Sequence, residues 1–227
     1  MPTAEHKEEY RDTAANRAQV FLCHHGGDCK HTVAGALHFL LNKLGVRTFW
    51  DYAHLRHGDN EPQMGLACHQ CSCAVVVFSP KFFQSKWTIK ELKTFAWHEQ
   101  QDDAKADEKK LIVPLLLNNT RVDECAEQCQ SYFSSLKRRM YAKYDEVDSL
   151  ASFVCRALVH ILHHPSLAAA RQELDRIAVQ EFNQAASGNR RVLVGLVHDW
   201  LMEYCESPSQ QHLLGKQKSS LCAVSGE

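Results

Sequence analysis

An excess of either charge is missing from this chain. Its 26 lysines and arginines face 27 aspartates and glutamates, for a net charge of −1. No field of one sign exists to hold a polyanion or an anionic membrane, so nucleic acid is not an expected partner. Long apolar runs are missing too. The cleanest, residues 75–78 and 111–117, fall far short of the ~20 residues that span a bilayer, and no membrane is expected. The first dozen residues, MPTAEHKEEYRD, are polar and carry acids, which fits neither a secretory signal nor an Arg-rich transit peptide. Ten cysteines in 227 residues are too sparse for a disulfide-built scaffold, so reduced thiols in the cytoplasm or nucleus are the expectation. Neither an internal repeat nor a P-loop is found. What is present, 44% hydrophobic and 23% charged residues, suits one sizeable domain with a helical appendage.

The pattern along the chain alternates. Residues 18–23 (AQVFLC) are a β-branched and aromatic run that stops at His24-His25-Gly26-Gly27-Asp28. The glycine pair breaks the strand, and Asp28 is placed to cap a following helix. Apolar residues from Val33 to Leu44 recur at helical spacing until Gly45 ends the helix. Residues 46–50 read as a second strand, and a long polar loop from Asp51 to Pro62 follows, of a length often tied to function. A short helix over 62–69 leads to Ala-Val-Val-Val-Phe at 74–78, continuously apolar as a strand covered on both faces should be. A helix over 88–99, a solvated loop over 102–110, a fourth strand over 111–117 and helices over 122–142 and 146–163 complete the series.

Four alternations of strand and helix predict an α/β fold: a flavodoxin-like open, mostly parallel sheet with additional C-terminal helices. The expected division is a polar lead-in over 1–17, the sheet domain over 18–163, a helical extension over 164–205 and a disordered tail over 206–227. In the extension Leu193, Leu196, Val197, Trp200, Leu201 and Tyr204 form a stripe that either the domain or another chain must cover.

Three constellations carry chemistry. Glu91 lies in the first turn of a helix beyond a strand's carboxyl end, where open α/β sheets bind ligands. The same Glu91 also completes a capping box with Thr88, reaching back to its own helix start, and spacing alone leaves both readings open. The turn at residues 24–28 offers backbone amides that can hold a phosphate, though without a full dinucleotide fingerprint. Cys68, His69, Cys71 and Cys73 suggest zinc, but no second pair stands at comparable spacing, so space-filling thiols and no metal are expected. A phospho-receiver is excluded, because the required acid pair after the first strand and the Asp closing the third are Cys-His-His and Ser-Pro here.

In order, residues 19–33, 46–51 with 55–59, 75–80 and 85–92 resemble the blocks of the plant-type TIR (Toll/interleukin receptor) domain family. The resemblance covers about residues 18–163. It implies an NAD+-cleaving activity in plant immune and cell-death signalling, giving ADP-ribose or a cyclic isomer, with Glu91 at the family's catalytic carboxylate. NAD+ would be substrate, and no cofactor is implied. His25, Gly26, Trp50 and Trp87 would line the substrate pocket. Self-association through the first and last TIR helices and the loop from Asp51 to Pro62 is also implied, with other TIR proteins as further partners. A non-catalytic TIR scaffold is the alternative. The chain departs from the family at His25 and Gly27, where an Arg and a Glu are usual, at Gly35-Ala36 in place of a Ser-His pair, and at Thr88 in place of a Cys.

Overall fold

The computed structural model describes residues 18–51, 60–99, 110–117, 120, 142–143, 149–184 and 189–206. The expected helix over 122–142 except its last residue, most of the loop from Asp51 to Pro62, Cys125, Cys129 and both termini lie outside them. Ala142 is not helical but opens a short strand, a fifth that the four alternations did not predict.

Five parallel strands form one sheet in the order β2-β1-β3-β4-β5. They are β1 (Val20–His24), β2 (Thr48–Phe49), β3 (Cys73–Phe78), β4 (Leu111–Leu116) and β5 (Ala142–Lys143). The order reverses beside β1, which makes the carboxyl edge near β1 and β3 a topological switch point.

Strand alternation decides which side chain faces which layer. Val20 and Leu22 of β1, with Cys73, Val75 and Val77 of β3, enter one core. Their neighbours Phe21, Cys23, Ala74, Val76 and Phe78 enter the other. All six side chains of β3 are buried, as its unbroken apolar sequence requires.

The first core is covered by α1 (Gly35–Lys43) and α4 (Leu150–Ile161). α5 (Ala168–Gln184) and α6 (Asn189–Glu206) extend that layer. The second core is covered by α2 (Asn60–Gln70) and α3 (Lys86–Glu99). No described helix is long and apolar enough to cross a membrane.

One local expectation is corrected and one is met. Asp28 does not cap α1, which is entered through a π-helical turn, Lys30–Ala34, with Cys29 at the cap position and no side-chain cap. The Asp28 carboxylate instead accepts from the Lys81 backbone N–H at 2.8 Å, tying the turn after β1 to the turn after β3. Gly45 behaves as expected, with φ +74° closing α1 in a conformation that disfavours other residues.

The stripe on α6 is covered by its own chain. Val197, Leu201 and Tyr204 are buried in the first core, with Leu193, Leu196 and Trp200 packed against it. Each fully buried side chain of this kind contributes roughly 1.5–3 kcal/mol. Gly35 permits the approach: a Cβ there would meet the Tyr204 hydroxyl, which donates to the His31 carbonyl at 3.1 Å. At the rim, Lys43 Nζ lies 2.6 Å from Glu203 Oε2 and 5.3 Å from the centre of the Phe39 ring.

Candidate active site

The cavity at the switch point wraps the carboxyl end of β1. It is about 170 Å³, lined by His24 and Gly26 from β1 and its turn, Asp51 after β2, Met64 of α2, and Ser85, Trp87, Thr88 and Glu91 at the start of α3. That volume lies below the ~300 Å³ lower bound of drug-sized pockets. A smaller space of about 60 Å³ adjoins it, shares Trp87 and Glu91, and adds Gly65, Cys68, Lys90 and Thr94. A larger open groove of about 730 Å³ runs along the outer face of α3 past Lys86, Lys90, Lys93 and Trp97, with no acid among the described residues that line it.

The start of α3 settles the cap. The helix begins at Lys86, one turn earlier than a Thr88 cap requires. Ser85 Oγ receives the Thr88 backbone N–H at 3.4 Å, and the Thr88 hydroxyl donates to the Phe82 and Ser85 carbonyls. The capping-box reading of Glu91 is therefore corrected: Ser85 does that work. Glu91 is only 9% exposed and lies within reach of the Cys23 thiol, which also meets the Thr88 carbonyl at 3.9 Å. Desolvation pushes its carboxyl up to about 8, with the Asp51 charge acting in the same direction and the Cys23 hydrogen bond opposing both. A buried carboxyl with so displaced a pKa, not consumed by its own helix and lining a cavity, is a candidate functional group.

Beside it stands a second polar group. His24 is 7% exposed. Its Nδ1 meets the Leu22 carbonyl at 2.9 Å. A carbonyl only accepts, so Nδ1 carries the proton and Nε2 is left with a lone pair. Nε2 is buried without a hydrogen-bond partner and lies 3.4 Å from Asp51 Oδ1. Burial lowers the His24 pKa, against the pull of Asp51. Asp51 in turn is held by Lys30 Nζ at 2.8 Å, supplied by the π-helical turn.

Of the residues named from sequence, Glu91, Gly26 and Trp87 meet at this cavity. His25 and Trp50 are not among its lining. His25 Nδ1 accepts from the Gly27 N–H at 3.2 Å, so the ring folds onto its own turn. Trp50 is buried in the first core, 4.9 Å between ring centres from His38. Sequence reasoning missed His24, Asp51, Met64 and Ser85. The available signal was their position: two lie at strand ends on the carboxyl edge, where a parallel sheet gathers its functional groups.

The thiols do not form a metal centre. Cys68 and Cys71 point into the second core and Cys73 into the first, on the opposite face of the sheet. Burial raises all three pKa values, Cys71 to about 11, which opposes the thiolate form a metal requires. His69 pairs with His98, Nδ1 to Nε2 at 2.7 Å. Among the described residues no group of three or more His, Cys, Asp or Glu could hold a metal ion.

Comparison with known proteins gives the following. A family model described as TIR domain matches residues 20–153. The chain is 40% identical over 78 residues to the probable 2' cyclic ADP-D-ribose synthase BdTIR of Brachypodium distachyon, covering 34% of this chain and 35% of that protein. It is 30% identical over 157 residues to the NAD(+) hydrolase TcpA of Theionarchaea archaeon, covering 67% and 43%. It is 35% identical over 74 residues to the TMV resistance protein N of Nicotiana glutinosa, covering 32% and 6%. Among solved structures, the TIR domains of the activated Roq1 resistosome align at 20% identity and a TM-score of 0.41, covering 79% of this chain and 97% of that one. The matches thus span less than half the length of these curated relatives.

Proposed function

This chain belongs to the TIR domain family, and from that premise we propose that it cleaves NAD+ between nicotinamide and ribose, giving ADP-ribose or a cyclic ADP-ribose isomer in plant immune and cell-death signalling. The observation that carries the reading is the Glu91 carboxyl, buried at the cavity and free of its helix start. Nicotinamide in NAD+ is a cationic leaving group, so it departs without a general acid. The barrier is the oxocarbenium-like ribosyl centre left behind. A carboxylate in a site with little water stabilises that cation more than it would in solution. Glu91 is the catalytic residue in this proposal, with Gly26 and Trp87 bordering the substrate; His25 and Trp50 have no part in it. Two curated relatives are named for cyclic ADP-D-ribose synthesis and NAD(+) hydrolysis, which supports the same chemistry here.

The cavity formed by the described residues is below drug size, which supports the further reading that TIR domains of neighbouring chains, of this protein or another TIR protein, complete it. Assembly and substrate then favour each other. The interface we assign to the first and last TIR helices and the loop from Asp51 to Pro62. Because α6 lies against α1 at Gly35, pairing through α1 either includes α6 or displaces it. The division into a catalytic unit over 18–163 and a bracing extension over 164–205 belongs to this proposal as well.

The test is NAD+ loss at high protein concentration, with products identified by mass, for wild type and Glu91→Ala. Nicotinamide release by the wild type alone is expected. Equal inertness of both proteins, with the wild type still assembling, would replace the enzyme by a TIR–TIR scaffold.

A further inference from the structure

Departure of nicotinamide is half of the reaction. The cation left behind must then be captured by a hydroxyl, of water for hydrolysis or of the same substrate for cyclisation, and that hydroxyl has a proton to lose. Glu91 is poorly suited to take it, since its charge is what offsets the cation. Asp51 is already engaged in an ion pair with Lys30 at 2.8 Å. His24 has the required lone pair: its Nδ1–H is committed to the Leu22 carbonyl, and Nε2 is buried and unpartnered in a side chain that lines the same cavity as Glu91.

Resting on the glycosidase reading above, we propose that His24 is a second catalytic residue, the base that accepts the proton of the capturing hydroxyl. The C1–N bond breaks and nicotinamide leaves with the bonding pair, neutral. The hydroxyl oxygen then bonds C1, and its proton passes to His24 Nε2. The imidazolium so formed faces Asp51 Oδ1, 3.4 Å away, an opposite charge that favours it. The proton returns to solvent, and the sum is NAD+ plus a hydroxyl giving the ADP-ribosyl product, nicotinamide and H+. Asp51 acts as a positioning residue, and Lys30 holds it.

The test compares two fluxes from one intermediate. Capture by a hydroxyl requires a base; capture by a pyridine nitrogen, which exchanges one pyridine for nicotinamide, has no proton to remove. Wild type and His24→Gln are incubated with NAD+ and a chromophoric pyridine, and both products are quantified. In His24→Gln hydroxyl capture is expected to fall by about 100-fold or more, while pyridine exchange stays within about threefold. Retained exchange is itself proof that the variant folds. Should it not fold, the wild type alone gives the answer from pH. Acidification protonates His24, which is faced by Asp51, Lys30 and His25, and lowers hydroxyl capture relative to exchange. The pyridine is one whose nitrogen stays unprotonated over the range used, and Glu91 cancels in that ratio because both fluxes share the departure step. Loss of both fluxes in equal proportion, or of neither, or a ratio unmoved by pH, overturns the base. A wild type that neither releases nor exchanges nicotinamide overturns the glycosidase reading and the base with it.

Discussion

On the side of the sheet covered by α1, α4 and α6, several polar groups are used by the chain itself. The Tyr204 hydroxyl binds the His31 carbonyl, Lys43 meets Glu203, and Ser149 caps α4 by accepting from the Ser152 N–H at 3.2 Å. At the carboxyl edge of β1 the arrangement differs. Glu91 is buried beside a thiol, and the His24 lone pair is buried with no hydrogen-bond partner among the described residues. Leaving a buried polar group so poorly satisfied costs roughly 1–3 kcal/mol. A buried carboxyl and a buried lone pair lining one cavity mark it as a candidate place for a ligand to complete the bonding.

The sharpest way to break that contrast is at Glu91. Glu91→Gln is expected to lower NAD+ cleavage by about 100-fold or more and, unlike a core substitution, to raise stability at alkaline pH. A carboxyl whose pKa is raised to about 8 in the folded state, against an ordinary value of 4.5, favours folding most below pH 4.5. That advantage is lost as pH rises to about 8. Thermal unfolding therefore separates Gln from wild type by a few kcal/mol at pH 8, with the gap closing toward pH 4. A wild-type stability flat across this range contradicts the burial argument.

Next in size is the packed side. Gly35→Ala places a Cβ against the Tyr204 hydroxyl and is expected to cost about 1–3 kcal/mol by overpacking. In a Tyr204→Phe background, where that oxygen is gone, the cost shrinks; the coupling is read from a double-mutant cycle in urea. Equal costs in both backgrounds would mean that α6 does not rest on α1 as described. Smaller in consequence is the pH profile. Since Glu91 must be charged to meet the ribosyl cation, kcat/KM is expected to climb with pH and level off above about 8. A profile flat from pH 6 to 9 counts against it. Least of all is Lys43→Ala, which removes a partly exposed ion pair and should cost less than about 1 kcal/mol, with activity unchanged.

How much of this was legible in the sequence differs by element. β3 was, because an unbroken Ala-Val-Val-Val-Phe run has only one comfortable home, a central parallel strand. The parallel sheet followed from alternation, whereas the strand order around β1 came from the structure. The start of α3 was not, since Ser85 and Thr88 are both good caps and spacing does not choose between them. The choice was made by the turn Phe82–Gln84, whose Phe82 carbonyl claims the Thr88 hydroxyl. The cover on α6 was open for a similar reason: a stripe shows that something must be buried, and only Gly35, far away in sequence, shows where. His24 was passed over beside His25 because neighbouring residues at a strand end point to opposite sides, and which one enters the cavity depends on register.

The central claim is physical: a carboxyl is held in low-dielectric surroundings for a cation to meet. The most direct measurement follows the Glu91 side-chain carbon by NMR in glutamate-labelled protein, titrated free and with a non-cleavable NAD+ analogue that keeps the cationic ring. The account predicts a midpoint near 8 in the free protein and a clear drop when the analogue is bound. A midpoint at the ordinary 4.5, unmoved by the analogue, would contradict it.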